Sequence, residues 1–252
     1  MSTFLTARWR HLVMLNYAVD PALLRARIPH GTVLDLHDDR CWVSVVGFLF
    51  LDTRVMGVPV PGHRDFEELN LRFYVRRDVP DPARGVEFRR GVAFVKELVP
   101  RWAIATIARL VYNEPYEAVS MRHTILRADG VPDDEAALSV GDSVSYGFQI
   151  GKGWGEVRGT VASEAGPPVP GSHAHFITEH YWGYTACPDA ATAEYEVVHP
   201  EWTVHQVKDA ALTGDLEALY GPDLGRSLSR PPDSALIAVG SEIAVHRGSR
   251  FA

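Results

Sequence analysis

Lysine is almost missing from this chain: Lys96, Lys152 and Lys208 are the only three, and every other residue in a basic total of 25 is arginine. Chemistry that needs a nucleophilic amine therefore has few places to happen. Cysteine is scarcer, with Cys41 and Cys187 alone. Two thiols make no disulfide framework, and no secretory n-region and h-region precede them, so a reduced cytoplasmic setting is expected. Long runs of like charge are absent, with a net charge of -7 and a pI near 5.9. Neither a nucleic-acid footprint nor a polybasic membrane patch is visible. The longest apolar run, 42–51, is broken by Ser44 and Gly47 and is too short to cross a bilayer, so it reads as a buried strand.

Several catalytic signatures are missing too. There is no Gly-x-Ser-x-Gly elbow for a nucleophilic serine. Gly151-Lys152-Gly153-Trp154-Gly155 has neither Walker nor dinucleotide spacing and reads as a hairpin. Eleven histidines raise the question of a metal, but no His-Glu-x-x-His occurs, and His173 and His175, two apart, diverge on a helix. No metal and no cofactor is expected.

What is present is a core-forming composition, 46% apolar and 23% charged, which excludes a disordered or fibrous chain. Extended patterns run over 6–17, 41–54, 65–77, 86–97, 119–127, 143–150, 154–162, 181–185, 194–199, 203–207 and 236–246. Asp20-Pro21 caps a short helix over 22–26. Residues 32–36 and 41–54 are expected to pair across Asp38-Asp39-Arg40, with a bend at Gly47, and Gly91 is the expected bulge. After Pro100, residues 101–110 are apolar nearly all round, which is the pattern of a buried helix. Ser172 caps a helix running through His180, Gly221-Pro222 ends a helix over 215–220, and 224–233 reads as a loop. No repeat, low-complexity tract or linker interrupts residues 1–252. The expectation is one β-rich α+β domain whose large, mostly antiparallel sheet is rolled into a barrel or cone, with a few short helices.

The stretch 65–77 organises the rest. Alternation sends Leu69, Leu71, Phe73 and Val75 to one face and Glu68, Asn70, Arg72 and Tyr74 to the other. The polar row is either a solvated face or the wall of a ligand cavity. An acid, an amide, a guanidinium and a phenol in one line are more than solvation needs.

Four separated pieces, 66–75, 109–116, 176–185 and His199-Pro200-Glu201-Trp202, resemble in order the domain-of-unknown-function family 2071, which is itself similar to the acetoacetate decarboxylase superfamily. The resemblance implies a barrel-like fold and an interior pocket. It places Glu68 on that superfamily's cavity glutamate and matches Arg109 and Pro115 to an arginine and proline that precede two lysines. Here the lysine positions hold Tyr116 and Glu117. A phenol followed by a carboxylate cannot form a Schiff base, so the resemblance implies the pocket and argues against the parent reaction.

The candidate catalytic residues are therefore Glu68, Arg109 and Tyr116, with Asn70, Arg72, Glu179, His180 and Tyr181 as candidate ligand-binding residues. Each has a structural alternative: an internal ion pair for Glu68, a dipole-stabilising cation at a helix end for Arg109, packed aromatics for Tyr116 and Tyr181, and a helix end on the sheet for Glu179 and His180. Function is read as an interior pocket for a small carboxylate or carbonyl compound, with non-Schiff-base lyase or hydrolase chemistry. The alternatives are a non-catalytic small-molecule-binding protein and a structural module with a filled barrel. The expected partner is a small-molecule ligand, with a homo-oligomer left open and nucleic acid and membrane excluded.

Overall fold

The computed structural model describes residues 2–59, 62–81, 85–100, 115–129 and 137–252. The expected helix over 101–110, Arg109 included, lies outside the described residues. In chain order the strands and helices are β1 (Thr3–Val19), β2 (Val33–Leu34), β3 (Cys41–Val55), β4 (Val58–Pro59), β5 (Phe66–Asp81), β6 (Gly85–Val99), β7 (Tyr116–Ala118), β8 (Met121–Leu126), β9 (Ser143–Ile150) and β10 (Gly153–Val161). Then come α1 (His173–Thr178), β11 (Trp182–Ala186), β12 (Thr192–Val198), β13 (Val204–Thr213), α2 (Leu216–Tyr220), α3 (Pro222–Leu228), β14 (Ser234–Ala238), β15 (Glu242–His246) and β16 (Ser249–Phe251). The class is α+β and dominated by strand, as the alternating apolar pattern requires.

Strand pairing closes a ring in the order β1, β3, β5, β6, β11, β12, β15 and back to β1. All its ladders are antiparallel except β6 with β11, where Trp182 faces Gly91 and Gly183 faces Val92. β1 makes closure possible by serving two neighbours on one edge. Its first part pairs with β15 through Arg8, and its second pairs with β14 from Leu12 to Asn16. The change comes at His11, whose φ of 55° interrupts the extended backbone. From β14 a second sheet runs through β13, β10, β9 and β8.

Two cores result. Outside the ring, Val13, Val45, Leu69, Leu71 and Phe73 pack with Tyr146, Phe148 and Val157 of the second sheet and with Leu216, Leu219 and Leu224 of α2 and α3. Inside the ring, Met14, Val46, Phe48, Phe66, Tyr74, Val92 and Tyr195 form the other. The two faces of β5 thus point as the alternation requires. Its apolar face packs on the second sheet and on the helices together.

Several local expectations are corrected. β2 pairs with β5, Val33 opposite Arg76, and not with β3. Gly47, where a bend is expected, is in addition a close approach: a Cβ there would lie 2.7 Å from the Tyr146 ring and 2.8 Å from Val157. Gly91 is also an approach, since a Cβ would stand 2.3 Å from the Trp182 carbonyl, and the real bulge of β6 falls at Val95, between Phe94 opposite Arg72 and Lys96 opposite Leu71. The helix over 22–26 is two 3-10 turns, Pro21–Leu23 and Arg25–Arg27. The loop over 224–233 begins as α3, the strand over 236–246 is divided into β14 and β15 around Gly240 (φ 80°), and β16 adds an edge to β12.

Candidate functional site

The ring encloses a cavity of ≈ 140 Å³ whose wall is contributed by every strand of the barrel. Val46, Phe48, Phe50, Val92, Phe94 and Val197 make most of it apolar. Into this surface project Glu68, Asn70 and Arg72 of β5, Glu97 of β6, Tyr116 of β7, and His180 and His199 from connections. Glu68, Asn70 and Glu97 are buried to 3%, 3% and 1% exposure, so the polar row of β5 is a cavity wall.

Glu68 is held from both sides. Asn70 Nδ2 donates to its Oε1 at 3.1 Å, and the Tyr116 hydroxyl donates to its Oε2 at 3.2 Å. Burial pushes its pKa up to about 7 against the opposing pull of those two bonds and of the Arg72 charge. The carboxyl can therefore hold or release a proton near neutral pH.

Arg72 reaches the end of α1, where its Nη2 donates to the Ile177 carbonyl at 3.3 Å. Its Nε is buried with no hydrogen-bond partner among the described residues. A guanidinium with spare donors beside a largely apolar cavity is suited to take an anionic oxygen.

His180 follows α1, whose N-terminus is capped by Ser172 accepting the His175 amide at 3.3 Å. The non-helical backbone of Glu179 (φ -99°, ψ 61°) ends the helix and separates the neighbouring side chains. His180 turns inward, with Nε2 at 3.1 Å from Asp35 Oδ2, and Arg90 Nε donates to the same oxygen at 2.7 Å. His199 is held by its Nδ1 at 2.8 Å from the Pro200 carbonyl and is stacked between Tyr181 and Trp202, at 4.6 and 4.2 Å between centroids. Burial lowers its pKa.

Of the residues singled out from sequence, Glu68, Asn70, Arg72, Tyr116 and His180 meet on this one cavity. Glu179 and Tyr181 are absent from its wall. The Tyr181 hydroxyl donates to Glu179 Oε2, and the Tyr181 ring backs His199. Arg109 lies outside the described residues.

Glu97, His199 and the pair Asp35 and Arg90 are not among the candidate site residues named from the sequence, although His199 belongs to one of the pieces that carry the family resemblance. For Glu97 the reason is specific. Alternation from Val92 and Phe94 would put Lys96 into the cavity, but the bulge at Val95 inverts the faces beyond it. Glu97 consequently enters the cavity, and Lys96 goes outward to pair with Glu117 at 3.0 Å. Asp35 and Arg90 carry no sequence signal, since they meet His180 only across the folded barrel.

Among the described residues no cluster of three or more His, Cys, Asp or Glu is arranged to hold a metal ion. No described helix is long and apolar enough to cross a membrane.

Comparison with known proteins shows the fold and the family. The uncharacterized protein YqjF of Bacillus subtilis (strain 168) is 38% identical over 68 residues, a match spanning 27% of this chain and 28% of that protein. Among solved structures, the enduracididine biosynthesis enzyme MppR complexed with pyruvate superposes with a TM-score of 0.69 at 14% identity, covering 100% of this chain and 92% of that one. The acetoacetate decarboxylase of Legionella pneumophila superposes with a TM-score of 0.67 at 12% identity, covering 100% and 90%. At such identities the likeness is one of fold, and the fold is acetoacetate decarboxylase-like. A family model matches residues 6–242, nearly the whole chain, and the chain therefore belongs to the domain-of-unknown-function family 2071, a family of uncharacterized conserved proteins.

Proposed function

We propose that the barrel interior binds a small carboxylate or carbonyl compound and that Glu68 exchanges a proton with it, in lyase or hydrolase chemistry that forms no lysine imine. The observation that carries this is the pairing of a buried carboxyl, raised to about 7, with a guanidinium that has an unused donor, on the wall of one largely apolar cavity. Arg72 takes the ligand's carboxylate, Phe48, Phe94 and Val92 enclose its carbon skeleton, and Glu68, steadied by Asn70 and Tyr116, faces the reacting carbonyl. That MppR has been captured with pyruvate supports a 2-oxo acid as the first probe.

None of the three lysines lines the cavity. Lys96 is paired outside, and Lys152 and Lys208 are exposed. Native mass spectrometry of the protein with pyruvate, 2-oxobutyrate and acetoacetate tests the proposal. Expected is one bound acid per chain, with affinity at least tenfold weaker in Arg72→Gln. Failure of all three acids to bind the wild type overturns it.

A further inference from the structure

The His180 side chain is 1% exposed, and its ring lies against Tyr74 and Phe176, at 4.6 and 5.0 Å between centroids. The surroundings fix its tautomer. Burial would raise the pKa of Asp35, but hydrogen bonds from His180 and Arg90, with the Arg90 charge, hold it below the usual carboxylate range. An ionised carboxylate only accepts, so Nε2 of His180, at 3.1 Å from Oδ2, must carry a proton. Burial is also the largest influence on His180. With the charges of Arg90 and Arg72 it outweighs the bond to Asp35 and pulls the imidazole down to about 4. A neutral ring protonated on Nε2 leaves a bare lone pair on Nδ1, and Nδ1 is buried with no hydrogen-bond partner among the described residues. The same residue lines the cavity together with Glu68 and Arg72.

We infer that His180 is the cavity's proton acceptor, that Asp35 and Arg90 are positioning residues that fix its tautomer, and that the bound compound is an enolisable 2-oxo acid. This rests on the reading of the cavity as a site for a small carboxylate. His180 Nδ1 takes a proton from C3, and the electrons of that C–H bond become the C2–C3 double bond. The carbonyl π electrons at C2 take the proton of the Glu68 carboxyl, giving an enol, an imidazolium beside the Asp35 carboxylate, and a Glu68 carboxylate. No bond to another group is made and nothing is oxidised or reduced. Return of the protons restores the keto acid. The Asp35 carboxylate stabilises the imidazolium as it forms, and Arg72 offsets the charge of the ligand.

Enolisation is visible without knowledge of the physiological product. In deuterium oxide, each return to the keto form replaces a methyl proton of pyruvate by deuterium, and the ¹H signal of the methyl group decays. The full-length protein is expected to accelerate that decay over buffer, with a loss of about 100-fold or more in His180→Gln and in Glu68→Gln, the scale of one general acid or base. Pyruvate binding by native mass spectrometry should survive in His180→Gln. Asp35→Asn keeps an oxygen where Arg90 Nε and His180 Nε2 meet but removes the negative charge that stabilises the imidazolium, so exchange should fall while pyruvate binding and the Nε2–H tautomer in ¹⁵N spectra are kept, a split that a merely structural aspartate would not produce. Wild-type protein that binds pyruvate but leaves its methyl signal decaying at the buffer rate overturns the inference and leaves the binding site standing. A wild-type His180 protonated on Nδ1 also overturns it. Absence of binding and exchange with pyruvate, 2-oxobutyrate and acetoacetate removes the site and the inference together.

Discussion

Glu68 and His180 are buried ionisable groups pushed in opposite directions by the same desolvation, each toward its neutral form. For Glu68 the folded state keeps its proton from the ordinary glutamate range up to about 7, while the unfolded chain has already lost it. Stability is therefore lost as pH rises through that window, by an amount on the order of 3 kcal/mol when complete. Glu68→Gln should accordingly be more stable than wild type at pH 8, with a smaller advantage at pH 5. Thermal melts at both pH values read this out, and an equal difference at both would show that Glu68 ionises freely in the folded protein. His180 acts at the acid end. Its folded value of about 4 lies below 6.5, so the stability that its neutral form contributes is present above 6.5 and is lost as pH falls toward 4. His173 is depressed to the same value by burial and by the nearby His37. His180→Gln should flatten the acid limb of the stability curve between pH 6.5 and 4, measured by urea denaturation, and an unchanged limb would place the acid sensitivity elsewhere.

At the level of the element, two departures from regularity in β6 decide the site. Gly91 allows the parallel seam with β11, and Val95 inverts the faces beyond it. The seam is short, with two register pairs, so a side chain at Gly91 has little neighbouring ladder to absorb it. Gly91→Ala should cost about 2–3 kcal/mol or more, the range for overpacking a tight site, and should weaken ligand binding, because β11 leads directly from His180. Circular dichroism melts and native mass spectrometry of the variant check this. A variant with wild-type stability and binding would mean that the seam opens without consequence. The expectation of a bulge at Gly91 went wrong for an instructive reason: a glycine in a strand marks either extra backbone or a close neighbour, and which of the two is known only when the neighbour is in place.

Across the whole molecule, a closed ring hides one set of polar side chains from water while a second sheet and two helices cover its outside. The ring fills most of its interior with Met14, Phe48, Tyr74 and Tyr195 and leaves a cavity where Glu68 and Arg72 stand. The lysines all sit away from that cavity. Borohydride reduction in the presence of acetoacetate should therefore leave the intact mass of the protein unchanged, and a covalent adduct on Lys96, Lys152 or Lys208 would refute this account of the interior.

The sequence alone determined the class of the fold, the long strands and the two faces of β5, because alternation is local and the pleat enforces it wherever one side is buried. It also determined that only three lysines exist and that none falls in the 109–117 segment, since identity at a position requires no structure to read. Helix ends at Ser172 and Gly221 were legible for the same reason, being set by groups within a few residues. What only the tertiary structure decided is which residues meet. The bulge that exchanged Glu97 for Lys96 depends on how β6 lies against β5, and the union of Asp35, Arg90 and His180 joins three segments far apart in the chain. Glu179 and Tyr181 look as suitable as His180 in sequence, yet one turn of backbone after α1 sends His180 inward and leaves the other two paired with each other. Spacing along a chain fixes a side chain's direction only while the backbone stays regular, and this site is built where that regularity is broken.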